Sequence, residues 1–239
     1  MIRNLFILLT IIISGLITAQ DDSEAIVVME LFTSQGCNSC PPADKLLDTI
    51  KEKYEDNNVF VLSYHVDYWN RLGWRDPFSD EAFSDYQRDY AQQFNSRSIY
   101  TPQLVVNGSE HFTGSNGPKA LTAIHKYSKF KTTNTIKIND LKKEDDQIKI
   151  EYNVEGSAFD QVTFALVVSE RTTNISSGEN RNRTLKNTNI VVNRLVVYKE
   201  STAVTLSIPD WIDQKDELAI IVYAQDKKLK TTGATKIHI

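Results

Sequence analysis

The sequence predicts two dissimilar parts, an α/β domain over residues 25–130 followed by an all-β, sandwich-like domain over residues 131–239. Three observations carry that expectation. An apolar run at 26–32 leads through a short polar turn into Cys37 and Cys40, which are followed by Pro41-Pro42 and a helix-like segment. Up to about residue 130, apolar runs then alternate with stretches of helical period. Beyond that point helical periodicity gives way to short alternating runs separated by turn-like residues, the pattern of a small β-sandwich.

Ahead of both parts, Arg3 precedes an apolar run from about residue 5 to 17, and small residues then lead into Asp21-Asp22. This is the layout of a secretory signal peptide over residues 1–19, with cleavage after Ala19. The run is shorter than the ~20 apolar residues a membrane-spanning helix needs. The expected location is therefore exported, periplasmic or secreted, with no membrane span after signal cleavage. A formal net charge of −4 argues against nucleic acid as a partner.

In order, residues 26–32 read as a strand and 43–54 as a helix, and VFVLSYHV (59–66) reads as a buried strand. A loop with Tyr68, Trp69, Trp74 and Phe78 follows. Residues 79–94 read as a helix, with Ser79 as cap and Phe83, Tyr86, Tyr90 and Phe94 at helical spacing. SIYTPQLVVNG (98–108) is a strand entered through Thr101-Pro102, EHFTG is its hairpin partner, and KALTAIHKYSKF (119–130) is a last helix. From 131 on, TIKIND, QIKIEYNV, QVTFALVVSE, NIVVNRLVVYKE, AVTLSIPD, LAIIVYAQD and ATKIHI give six or seven strands.

A strand that runs into Cys-x-x-Cys at the start of a helix is the redox-active arrangement of thioredoxin-like proteins. Backbone N–H groups at a helix N-terminus would stabilise the Cys37 thiolate, and Cys40, one turn on, would resolve a mixed disulfide. Cys37 and Cys40 are the only two cysteines. A bridge between them closes so small a loop that it adds little to global stability, so redox or metal chemistry explains them better than an inert staple. In thioredoxin-like folds a cis proline lies against the two cysteines and exposes backbone for an extended peptide; Pro102, after Thr101, occupies that place in the order of elements.

The runs ELFTSQGCNSCPPAD, SYHVDYWNRLGWRDPFS, YTPQLVVNG and GENRNRTLKNTNIVV resemble a family of exported bacterial proteins catalogued as domain of unknown function twelve twenty-three. The resemblance covers nearly the whole chain after the signal. It implies a thioredoxin-like domain followed by a β-rich domain and supplies no substrate. A more distant likeness to thioredoxin, glutaredoxin and periplasmic disulfide oxidoreductases implies exchange chemistry, with Cys37 the more exposed sulfur and Cys40 the buried one. The chain departs from thioredoxin in having Asn38-Ser39 between the cysteines and no tryptophan before the first.

The candidate catalytic residues are thus Cys37 as attacking thiolate, Cys40 as resolving thiol, Pro102, and Glu30, whose carboxylate on the strand before the cysteines would accept the Cys40 proton. Thr101, Trp69, Trp74, His65 and Asp67 are candidate substrate contacts, His65 and Asp67 lying together at the end of a strand. Arg181 and Arg183 mark a polar hairpin tip. The expected partner is a protein or small-molecule thiol or disulfide, and no cofactor is called for. Two other classes fit the same residues. One is a non-enzymatic secreted binding module with a structural disulfide. The other is copper or zinc handling through Cys37, Cys40 and His65.

Overall fold

A computed structural model describes residues 24–54, 58–156 and 159–239. The expected signal peptide, residues 1–19, lies outside the described residues. Among the described residues no helix is long and apolar enough to cross a membrane.

The first strand, β1 (Val27–Thr33), is buried along its whole length. It leads into α1 (Pro41–Tyr54), and β2 (Val59–His65) returns parallel to β1, pairing Val27 with Val59 through Thr33 with His65. After a 3-10 turn at Asn70–Leu72 comes α2 (Glu81–Gln93). Its cap is Asp80 rather than Ser79: the Asp80 carboxylate accepts from Ala82 N at 2.8 Å. The hairpin β3 (Gln103–Val106) and β4 (Glu110–Thr113) adds antiparallel to β1, and α3 (Gly117–Tyr127) follows. The remaining residues form β5 (Thr135–Glu144), β6 (Gln147–Glu155), β7 (Gln161–Asn174), β8 (Thr184–Tyr198), β9 (Ala203–Ser207), β10 (Leu218–Gln225) and β11 (Thr231–His238).

The strands assemble into two sheets. One has eight strands in the order β11-β10-β7-β8-β2-β1-β3-β4, and the other has three, β5-β6-β9. The join in the large sheet is β2 to β8, parallel at Ser63 and Ile190 and reinforced by Asn189 Nδ2 donating to Val61 O at 2.9 Å. The expected fold class, an α/β thioredoxin-like domain followed by an all-β sandwich-like one, is therefore corrected. The protein is mostly β, with eleven strands and three α-helices among the described residues, and its principal sheet is mixed and draws strands from both sides of residue 130. The physical reason is that periodicity identifies strands singly and carries no information on which edges meet. An unpaired edge is a liability; here β8 occupies the edge that β2 would otherwise present.

Side chains alternate across the large sheet and feed three cores. On one face, α2 packs Phe83, Tyr86 and Tyr90 against Val28, Phe32 and Tyr64 of the first half and Val167, Val191, Ile221 and Tyr223 of the second. On the other face, α1 and α3 cover Met29, Leu31, Val61 and Leu104. Beside them the three-stranded sheet covers Phe164, Leu166, Ile220 and Val222. All eight residues of β10 are buried, as a strand covered on both faces requires.

Candidate functional site

Beyond Thr33 the chain turns at Ser34–Gly36 and reaches Cys37 and Cys40, which form a disulfide with Cα atoms 5.4 Å apart. Both cysteines have no exposed surface, whereas Asn38 and Ser39 between them are exposed. Cys37 is thus no more accessible than Cys40, contrary to expectation. The pair also lies just before the helix rather than in its first turn. Pro41 and Pro42 open α1 without N–H groups, and the next two donors, Ala43 N and Asp44 N, both go to Cys40 O at 2.8 and 3.1 Å. The helix entrance therefore spends its donors on a carbonyl. The contact the sulfur of Cys37 makes is with Ser39 Oγ, at 3.4 Å.

Behind the disulfide lies a buried polar layer that the sequence reading met only in part. Thr33 Oγ1 donates to Asp44 Oδ1 at 2.8 Å. His65 Nδ1 pairs with Asp76 Oδ2 at 2.7 Å, and Gln35 N donates to the same oxygen at 2.7 Å. Gln35 Nε2 donates to Asn187 Oδ1 at 3.0 Å, which brings β8 into the site. His65 Nε2 and Ser63 Oγ are buried without a partner among the described residues. Burial pushes the Asp44 carboxyl up to about 7, with the His65 charge and the Thr33 hydroxyl pulling the other way. For His65, burial favours the neutral ring, but the Asp76 charge and hydrogen bond, helped by Asp44, outweigh it and raise its pKa. Asp76 is lowered despite its burial, by His65 and by the N–H groups of Gln35 and Phe78.

The β7–β8 hairpin bonds to the backbone on both sides of Cys37. Asn180, fully buried, donates through Nδ2 to Gln35 O at 2.8 Å and to Cys37 O at 2.9 Å, while Arg183 Nη1 donates to its Oδ1 at 2.9 Å. Asn38 N donates to Glu179 Oε2 at 3.3 Å, and Ser177 Oγ to Gly73 O at 2.6 Å. Gly178 has φ +73°, and a Cβ there would come within 3.0 Å of Trp74 Cβ, so this turn requires glycine for both conformation and space.

Several predicted residues do border the cysteines. Trp74 Nε1 donates to Gln35 Oε1 at 3.2 Å, and Trp69 Nε1 to Thr101 Oγ1 at 2.8 Å. The Thr101–Pro102 peptide is cis, as expected, and Pro102 is buried. A Cβ built on Gly114 would sit 3.3 Å from Pro102 Cβ and 3.1 Å from Ala43 Cβ, which places the proline at the entrance of α1.

Others are elsewhere. Asp67 engages Ser84 of α2, both as acceptor at 2.5 Å and through its own N–H at 3.1 Å, and so does not partner His65. Glu30 projects to the α2 face of β1, opposite the face on which α1 packs. There it accepts from Tyr86 at 2.8 Å, Tyr223 at 2.9 Å and Tyr90 at 2.5 Å, with the Arg194 guanidinium 3.6 Å from the Tyr86 ring centre. Burial raises its pKa against the pull of those hydroxyls and of Arg194. Among the described residues no group of three or more His, Cys, Asp or Glu is arranged to hold a metal, so Cys37, Cys40 and His65 do not form a ligand set. Sequence reasoning missed Asp44, Asp76, Gln35, Asn187 and Asn180; Asp44 alone had a local signal, standing four residues after Cys40 in the first turn of α1.

The fold and site define a β-rich protein with a buried Cys-x-x-Cys disulfide set over a polar layer. The chain belongs to the family described as "Protein of unknown function (DUF1223)", which matches residues 28–225. A crystal structure of an Agrobacterium tumefaciens protein is similar to it at 27% identity and TM-score 0.64, covering 90% of this chain and 95% of that one. A β-glucosidase from Kluyveromyces marxianus overlaps 46% of this chain and 14% of its own, at 14% identity and TM-score 0.22, too little to bear on fold or function. No curated protein matches significantly.

Proposed function

We propose that the protein carries out thiol–disulfide exchange at Cys37–Cys40 with a protein or small-molecule thiol, outside the cytoplasm. The observation that carries this reading is the buried, ionisable layer of Asp44, His65 and Asp76 around a disulfide that closes only a minimal loop. A bridge kept solely for stability needs no titratable group beside it, and buried charges cost stability.

Exchange proceeds in two displacements. A substrate thiolate attacks Cys37 Sγ, the Cys37–Cys40 bond breaks, and Cys40 leaves as a thiolate. Asp44, one helical turn from Cys40 and near half-protonated at neutral pH, supplies the proton. A second substrate thiol then attacks the mixed disulfide, releasing substrate disulfide and reduced protein; the reverse sequence reduces a disulfide substrate and restores the Cys37–Cys40 bond. Asp44 takes the proton-transfer role that sequence reasoning gave to Glu30. His65 and Asp76 hold the charge balance of the layer.

Equilibration of the purified protein with glutathione buffers tests this. A potential between about −270 and −120 mV, the span of exchange proteins, is the expected result; a value below about −300 mV would mark a structural bridge and refute the proposal.

A further inference from the structure

We infer that residues 176–183 are a lid, and that the disulfide becomes reactive only when this segment lifts. The inference concerns access to the site proposed above and takes its meaning from that reading, but it rests on separate observations. Neither cysteine has exposed surface, so no thiol can reach Cys37 Sγ in line with the bond it must break without displacement of a covering segment. The segment bonded to the backbone around Cys37 comes from far along the chain, the tip of the β7–β8 hairpin, and it is held mainly by hydrogen bonds, with Gly178 against Trp74.

That hold consists of the two Asn180 Nδ2 bonds to the Gln35 and Cys37 carbonyls, the Asn38 N bond to Glu179, and the Ser177 bond to Gly73. The side chains of Ser177, Glu179, Arg181 and Arg183 bring no apolar core to this contact, and Glu179, Arg181 and Arg183 are exposed. Ile175, buried at the base of the turn, anchors the segment where it leaves β7. A segment held by a few hydrogen bonds with little apolar burial opens locally at far lower cost than the whole fold. The geometry also makes the lid responsive to the cysteines. Asn180 bonds to the backbone of Cys37 itself, so a change in the Cys37 turn when the disulfide is cut is transmitted to the contact that keeps the lid down. Gly178 and Asn182, both with left-handed φ, set the two bends of the segment.

Reduction kinetics of the oxidised, purified protein test the lid directly, with dithiothreitol as the probe and thiol alkylation read by mass. For the wild-type protein the rate should rise with dithiothreitol and then level off at the opening rate. Asn180→Ala removes the two bonds to the Gln35 and Cys37 carbonyls, together with the one accepted from Arg183, and should raise the rate at low reductant by roughly five- to a hundred-fold. Ser177→Ala, a milder change at the rim, should raise it by roughly two- to ten-fold, and it keeps the test valid if the Asn180 variant folds poorly. Rates that stay linear in dithiothreitol and unchanged in both variants would overturn the lid. So would reduction that follows global unfolding, with the same dependence on urea. A potential below about −300 mV would remove the exchange function while leaving this rate comparison intact, so the two failures are told apart.

Discussion

Replacing Asp44 by asparagine should flatten the pH dependence of stability. In the folded protein, burial lifts the Asp44 carboxyl from 3.8 to about 7. A raised carboxyl pKa means that the folded state binds the proton more tightly than the unfolded state. Stability from this group is therefore greatest at low pH and declines as pH rises through the window between 3.8 and about 7. Between pH 5 and pH 8 the linkage relation gives a decline of roughly 2–3 kcal/mol from Asp44 alone. His65, raised by Asp76, changes in the same direction, and Asp76, lowered, works oppositely at acid pH. The difference between variant and wild type cancels their common part. The amide oxygen introduced by Asp44→Asn would still accept from Thr33 Oγ1, so little should change at pH 5. Urea unfolding of the oxidised proteins, followed by tryptophan fluorescence at pH 5 to 8, measures it. The variant should gain roughly 2–3 kcal/mol relative to wild type across that span, with equal m-values. Parallel curves would show that His65 keeps Asp44 ionised throughout and would refute the proton-transfer assignment.

Further outcomes can be checked independently. Glu30→Ala removes the common acceptor of three tyrosine hydroxyls and the charge facing Arg194, and should cost about 3 kcal/mol or more in denaturant unfolding; a loss below about 1 kcal/mol would contradict the tyrosine cage. Gly178→Ala forces a left-handed side chain against Trp74 and should cost about 1–2 kcal/mol of stability while speeding reduction of the disulfide. Cys37→Ser should abolish exchange by the purified protein, and exchange that survives would move the chemistry off this pair. Mass measurement of the exported protein should find an N-terminus at Gln20, and an intact Met1 would count against a cleaved signal.

Local signals carry much of this architecture. The spacing of Phe83, Tyr86 and Tyr90 reads correctly as a helix face, Asn107-Gly108 as a hairpin turn, and Thr101-Pro102 as a cis bond. Each depends on residues within one turn or one strand of one another. What escapes depends on distance along the chain. Ser63 meets Ile190, and Asn180 reaches Cys37 across 143 residues; neither partner carries a mark of the other. Proximity in sequence pairs His65 with Asp67, but strand pleating fixes side-chain directions only within the strand, and the loop beyond β2 brings Asp76 to His65 instead. The same proximity sets Glu30 near the cysteines, which it precedes by a few residues. The alternation along β1 puts it on the face with Val28 and Phe32, not on the face with Met29 and Leu31 that α1 covers. Asp44 is within reach of sequence reasoning, since a carboxylate one turn past Cys40 on an apolar helix face is a costly choice that structure alone does not demand.

The 143 residues between Cys37 and Asn180 also have a meaning in time. A chain made at 5–20 residues per second presents the cysteines roughly seven to thirty seconds before its β7–β8 turn exists. During that interval the pair is uncovered, and β2 lacks β8. Until then no residue of 176–183 stands beside the thiols, so that segment is among the last parts of the site to be made.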